Sequence, residues 1–577
     1  MKIIVVVFLL MTSMQVVAQN SEPADIIFLN GDVYTGAVLP YMPGAKPPAK
    51  PRVQAIAVKN GRILSIGTNE EVRKYAAKKT HSVDLRGQFV MPGFNDAHLH
   101  LANGGFEKLN VDLVGVKSLD EMKSRIAARV KTASPGEWIL GRGWDHTAWT
   151  GKTLPSRQDL DAVTAGHPAY FVRVDGHIAV ANSAALKAAG VGKDTKAPSG
   201  GTIDRDSNGE ATGILRESAQ DLVTSKIPHP TAEQRRRGLE LAFADAVRHG
   251  ITSVQDNSSW DDFLVMEDMQ SDGVLPIRVT EWLNFNDSVE TLQQHRARHP
   301  QTDPHLHTGM LKGYMDGSLG SRTAALLAPY SDDPHNTGLP QFDQEKLNRM
   351  TRERVAAGFQ IGFHAIGDNG VEMALEAFED ATTAIRENQL RHPNTTQRTD
   401  DFRLRIEHDQ VVTAEQVPRY EQLGVIASVQ PNHLLTDMNW AEERIGPARA
   451  KVSYPWADYV KNKVMLAFGT DYPVEPITPF RGVYAAVTRK NEAGTKTYYP
   501  EQKLTIEQAI AAYTTGAAYA EFAERDKGLI QAGMLADFVV LDRDLTKVAP
   551  EEILKTKVLR TVVAGKTVFN AEEKTSK

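Results

Sequence analysis

From Phe89 onward, short apolar runs alternate with longer stretches in which apolar residues return every third or fourth position. A period of two marks a strand and a period of 3.6 a helix, so this pattern predicts strands alternating with helices. Eight runs read as strands: Phe89 to His100, Ile251 to Asp256, Ile277 to Trp282, Met310 to Gly317, Phe359 to Ala365, Arg403 to Asp409, Gly424 to Pro431 and Val464 to Asp471. Helical patterns lie between most of them, for example Arg235 to Gly250 and Gly370 to Asn388. Eight such units predict an α/β fold, a (β/α)8 TIM barrel over residues 89–525. The stretch from Leu101 to about His249 is far too long for a loop, so an inserted subdomain of helices and short strands is expected there.

The segments outside the barrel follow another pattern. Asp25 to Gly36 and Ala55 to Thr68 each place Asn-Gly between apolar or alternating flanks. That is a hairpin signal, because a type I′ turn needs positive φ at both central residues. The Pro-rich stretch from Pro40 to Pro51 must be loop. Ala536 to Asp544 and Val558 to Asn570 repeat the strand pattern at the far end. Residues 19–88 and 526–577 are therefore expected to build one small composite β-sandwich domain. The first eighteen residues differ again: Lys2, the apolar run Ile3 to Leu10, a polar patch at Thr12 and Ser13, then Val16-Val17-Ala18. These are the parts of a signal peptide cleaved near Ala18, and the apolar run is too short to span a bilayer. An exported chain, periplasmic or secreted and without a stable membrane anchor, is expected.

Composition narrows the chemistry. Lys and Arg total 66 against 72 Asp and Glu, a net charge of -6, so no basic surplus exists to neutralise nucleic acid. Cysteine is absent, which removes disulfides, thiolate metal sites and thiol nucleophiles. Any metal must be held by nitrogen and oxygen.

Polar residues end the strand runs with regularity. His98 and His100 are one residue apart, so both face the same side of a strand. Lys312, His364, His408 and Asp471 lie in or at the ends of the fourth, fifth, sixth and eighth runs. Each is ordinary alone: His305 and His307 form a second H-x-H pair, Lys312 could be a surface ammonium, and Asp471 could cap a helix. In strand order, however, all six converge on one mouth of a barrel, where such enzymes carry their site. Imidazoles, an amine and a carboxylate gathered there are costly without a cation among them. One or two divalent ions are the economical reading, and imidazole with carboxylate suits zinc.

With DAHLH at His98 and His100, lysine on the fourth run, single histidines on the fifth and sixth, and GTDYPVEP around Asp471, the chain resembles the amidohydrolase superfamily. Its stretches RVDGHIAVANSAAL (Arg173 to Leu186), GEATGILRESA (Gly209 to Ala219), MDGSLGSRTAALLAPY (Met315 to Tyr330), HAIGDNG (His364 to Gly370), EHDQ (Glu407 to Gln410) and KGLIQAGMLADFVVLD (Lys527 to Asp542) are similar to the amidohydrolase 3 branch, the YtcJ-like and N-substituted formamide deformylase-like proteins. The resemblance spans nearly the whole chain after the leader. It implies the composite terminal domain and the insertion after the first barrel strand.

It also implies roles. His98 and His100 would hold the more buried ion, His364 and His408 a second. Lys312, carboxylated on its amine, would bridge the two ions. Asp471 would touch the buried ion, hold a metal-activated hydroxide and carry its proton to the leaving nitrogen. His177 and His433 are candidate donors to the carbonyl or its oxyanion. Arg322 is weighed as a partner for a substrate carboxylate against an internal ion pair. Asp316 and Asp368 are expected to orient ligands. Trp144, Trp149 and Tyr170 are weighed as a substrate wall against core packing. The expected activity is hydrolysis of a non-peptide amide C–N bond, N-acyl or N-formyl, in a small-molecule substrate. The alternatives are a cyclic amide, imide or lactone hydrolase, and a non-catalytic exported binding protein on the same fold. The oligomeric state stays open, a homodimer among the options.

Overall fold

The computed structural model describes residues 22–44, 46–174, 176–391 and 401–572. The expected leader, residues 1–18, lies outside them.

Eight strands form one sheet, each parallel to its neighbour: β1 (Phe94–Leu99), β2 (Ile251–Asp256), β3 (Arg278–Asn284), β4 (Leu306–Tyr314), β5 (Ile361–Ala365), β6 (Arg405–His408), β7 (Ile426–Val429) and β8 (Leu466–Phe468). The barrel closes just beyond β8. There the Asp471 N–H donates to the His98 carbonyl at 2.8 Å, and the His100 N–H donates to the Tyr472 carbonyl at 2.7 Å. The same two bonds hold three of the expected ligands in register.

Each of the eight predicted runs overlaps one barrel strand, although Arg278–Asn284 ends two residues later and Leu306–Tyr314 begins four residues earlier than predicted. The first run also contains a strand of another domain. Phe89–Pro92 pairs with Phe538–Leu541 and Asp32–Tyr34 in a terminal sheet, and only Phe94–Leu99 belongs to the barrel. The chain crosses between them at Gly93, where a Cβ would lie 2.2 Å from the Thr252 side chain. An apolar run buried on both faces gives no periodic signal for such a break.

The composite terminal domain is two sheets. One has the order Arg62–Gly67, Ala55–Lys59, Ile26–Leu29, His81–Asp84; the other runs from Lys566–Asn570 through Phe89–Pro92 to Arg52–Val53. They share a core that includes Phe28, Val33, Ile56, Val90, Phe538 and Val562. Asn60-Gly61 makes the predicted hairpin, with φ of 50° and 73°. Asn30-Gly31 does not: the strands on either side of it enter different sheets. Leu85, whose Cδ1 lies 2.7 Å from where a Gly31 Cβ would be, fills the turn from one sheet to the other.

The insertion is built on a six-stranded sheet with Val111–Asp112 at one edge and Gly201–Arg205 at the other, with cores of its own. It leaves and re-enters the barrel along two packed helices, Leu101–Leu109 and Ala232–Arg248. Their backbones touch at Gly105 and Gly238, where a Gly105 Cβ would sit 2.2 Å from the Gly238 carbonyl oxygen. At the barrel floor, the carbonyls of Ala517, Tyr519 and Ala520 accept bonds from Gln255, Arg403 and Gln360, so the final helical segment plugs that end.

Candidate metal centre

His98 and His100 stand at the C-terminal end of β1, where strand alternation turns both rings into the mouth. Lys312 reaches it from β4 and His364 from β5. His408 and Asp471 leave regular strand geometry, with φ of 81° and 57°, and those turns bring their side chains over the mouth. His433, at the start of a short helix after β7, completes the group.

The contacts assign the protons. His98 Nδ1 lies 2.7 Å from Glu407 Oε2, and His100 Nδ1 lies 3.1 Å from the Asn257 carbonyl oxygen. Each acceptor needs the proton on Nδ1, so both Nε2 atoms present lone pairs. Those lone pairs face Asp471 Oδ1 at 3.6 and 3.2 Å, and that oxygen makes no hydrogen bond. His408 Nδ1 is buried and likewise unbonded, 3.9 Å from Asp471 Oδ2. Asp471 Oδ1 and His408 Nδ1, buried without a hydrogen bond among these imidazoles, fit a cation, which the donor set suits. Two triads have ligand atoms within 4.8 Å of one another: His98, His100 and Asp471; and His408, His433 and Asp471.

Electrostatics agrees with ligand chemistry. Burial pushes His98 and His408 well below the usual imidazole range and His364 to about 4, which keeps these rings neutral. Burial also lowers the Lys312 amine to about 8; its Nζ lies 3.1 Å from His98 Nε2. Asp471 is buried too, which favours its neutral form, but His98, His100, His433 and His408 around it hold its carboxyl well below the usual range. Burial opposes charge on His433 as well, yet its 3.0 Å bond to Asp471 Oδ2 outweighs that and lifts it to about 9.

The structure thus brings His98, His100, Lys312, His364, His408, His433 and Asp471 together. His364 Nε2 is turned toward the Gly317 carbonyl at 3.1 Å, with its ring 4.4 Å from that of His408. His177 is not part of the buried group: its side chain is 65% exposed on the insertion, with Nδ1 3.0 Å from Glu217. Arg322 is engaged by Asp332 at 2.8 and 3.1 Å, the internal pair rather than a substrate reader. Asp316 accepts backbone bonds from Ala325, Ile366 and Gly367, pinning the loop after β5, and lies 3.6 Å from His364. Asp368 accepts from the Leu327 N–H. Trp144 and Trp149 are core of the insertion, and Tyr170 is buried with its hydroxyl on Gln220. The second H-x-H pair is structural: His305 faces the Leu275 carbonyl and His307 that of Asp303.

Sequence reasoning missed what stands behind His98. Arg405 and Glu407 alternate along β6 into the barrel interior, both fully buried. Arg405 Nε donates to Glu407 Oε1 at 2.8 Å, and its other nitrogens reach Gln255, the Ala97 carbonyl and Ser428. One hydrogen-bonded line therefore runs up the barrel from the Ala517 carbonyl through Gln255, Arg405 and Glu407 to His98. The signal was available: charges at every second position of RLRIEHD, on a strand of a closed barrel, must point inward.

Residues 82–569 match the amidohydrolase family. The chain is 34% identical over 559 residues to protein LONG AFTER FAR-RED 3 of Arabidopsis thaliana, covering 95% of this chain and 92% of that one. It is 28% identical over 535 residues to the N-substituted formamide deformylase of Arthrobacter pascens, covering 89% and 94%. Among solved structures, an uncharacterised metal-dependent hydrolase from Pyrococcus horikoshii superposes with a TM-score of 0.72 at 30% identity, over 91% of this chain and 99% of that one.

Proposed function

The chain belongs to the amidohydrolase family, and from that premise we propose that it hydrolyses a simple, non-peptide amide C–N bond of the N-acyl or N-formyl type. One observation carries the reading: Nε2 of His98 and Nε2 of His100 lie 3.6 and 3.2 Å from Asp471 Oδ1, a buried carboxylate oxygen that makes no hydrogen bond. The relative named for N-substituted formamides supplies the bond type. His98, His100, Lys312, His364, His408 and Asp471 would hold one or two divalent ions, zinc by ligand chemistry. With two, Lys312 would bridge them as a carbamate, because an ammonium cannot ligate. Such ions supply an acidified water and a polarised carbonyl.

The chain's own groups do the rest. Asp471 takes the proton of the attacking water and returns it to the leaving nitrogen. His433, bonded to Asp471 Oδ2, fixes that carboxylate and stands beside the mouth as an N–H donor for the developing oxyanion. Glu407 fixes the tautomer of His98, and the Asn257 carbonyl that of His100. His177 has no part in this reading, because its exposed ring lies outside the buried group.

Export is part of the proposal and rests on residues 1–18; N-terminal sequencing of protein recovered from the periplasm or medium checks it. No helix among the described residues is long and apolar enough to cross a membrane. For the activity, metal-loaded enzyme is assayed against N-formyl and N-acyl amides, cyclic imides and lactones. Amine release from the open-chain amides is expected. Hydrolysis of imides or lactones alone, or none by fully metallated protein, contradicts the reading.

A further inference from the structure

A cleft of about 1090 Å³ opens between the inserted sheet and the loop that follows Asp471. Tyr472 to Pro476 form one wall, helix Leu101–Leu109 contributes Gly104 and Glu107, and Leu140, Tyr170 and Val172 of the inserted sheet line the other side. The cleft therefore starts one residue beyond Asp471 and on the helix that begins beside His100.

Its lining is unusual for a surface. Val114, Val174 and Val474 are 61%, 46% and 66% exposed, and all three line this cleft. They are three of the nine exposed large hydrophobic side chains among the described residues, so the clustering is not the scatter normal on a surface. The charged side chains of the lining, Glu107, Asp112 and Glu475 against Lys108 and Arg142, leave no cationic surplus. Lys108 pairs with Asp245 at 2.7 Å and Glu475 with Arg481 at 2.7 Å. Arg322, the cation weighed for a substrate carboxylate, is engaged by Asp332.

We propose that this cleft receives the non-reacting substituent of the amide, and that this substituent is a neutral alkyl or aryl group several carbons long. The inference rests on the amide-hydrolase reading and narrows it: the insertion selects for apolar bulk, and N-acyl amino acids and other ionised amides are poor substrates.

The test uses metal-loaded, full-length enzyme and a series of N-alkylformamides from methyl to octyl, with an N-(ω-carboxyalkyl)formamide as the charged control. kcat/KM is expected to rise about fourfold per methylene over the first several carbons, the transfer value of one buried CH2. A terminal carboxylate should cancel that gain. Val474→Asp and Val114→Asp should flatten the slope of log kcat/KM against chain length. Both valines are exposed, and thermal unfolding checks that the variants stay folded. Calorimetric binding of the same amides gives a readout independent of turnover.

Hydrolysis at rates indifferent to chain length, or a slope that survives in both variants, overturns the cleft proposal and leaves the amide reading standing. No hydrolysis, but binding that strengthens with chain length and weakens in Val474→Asp, keeps the cleft and overturns the reaction. Binding without any dependence on chain length overturns the cleft.

Discussion

At the floor of the barrel Arg278 meets Asp537 through two bonds of 2.6 and 3.0 Å, Lys527 meets Glu521 at 2.8 Å, and Arg403 meets Glu524 at 2.8 and 3.0 Å. At the mouth five imidazoles and an amine gather around one carboxylate, Asp471, whose Oδ1 makes no hydrogen bond; His408 Nδ1 makes none either. Both ends bury many polar groups, but at the floor each of these charges meets its opposite, whereas at the mouth only Asp471 Oδ2 is engaged, by His433, and Oδ1 is left over. Buried polar groups are almost always satisfied, because an unmade bond costs about 1–3 kcal/mol. The floor is therefore explained by stability alone. The mouth stays unfavourable until something outside the chain enters it, which is the mark of a functional site.

The sharpest way to break this comparison is to change the mouth and lose chemistry without losing structure. Asp471→Asn keeps the shape and removes the proton carrier. kcat should fall about 10²–10⁴-fold while the unfolding temperature holds and much of the metal is retained. A variant keeping more than about a tenth of wild-type kcat contradicts the assignment of Asp471 as the proton carrier.

The floor should give the reverse result. Arg278→Met leaves Asp537 charged, buried and unpaired where β3 meets the terminal domain, at a cost of about 3–5 kcal/mol in stability. Denaturant unfolding measures that loss. Metal per folded chain should be unchanged, and a metal-depleted but stable variant would show that the two ends do not divide their labour.

Glu407→Gln lies between the two, since Glu407 belongs to the interior line and serves the mouth. Metal affinity should weaken about 10–100-fold through the loss of His98 orientation, read by competition with a chelator. The smallest effect is expected at Arg322→Ala. Its pair with Asp332 is partly solvent-exposed, so stability should change by less than about 1 kcal/mol, and amide hydrolysis by less than about twofold. A large rise in KM there would restore Arg322 as a substrate reader.

The barrel was legible because each of its strands is an apolar run ending in a residue that packing does not need, such as Lys312 or Asp471. Fixed strand ends then imply fixed positions around one mouth. The composite terminal domain was legible from turn chemistry, as Asn60-Gly61 shows. Three things were not. Phe89–Pro92 and β1 read as one run, because full burial of both segments erases the periodicity that would separate them. His177 looked like a site residue in VDGHIAV, but nothing local to that motif says which way the inserted sheet faces. Glu407 went unassigned for the opposite reason. Its partner His98 is 309 residues away, and only barrel closure brings them to 2.7 Å.

The central claim is that the mouth is a metal centre. The most direct test is plasma emission analysis of the full-length chain, purified without chelator and shown to be folded. One or two divalent ions per chain, zinc foremost, is the expected result. A folded chain that carries no divalent metal, and takes up none from solution, would contradict it.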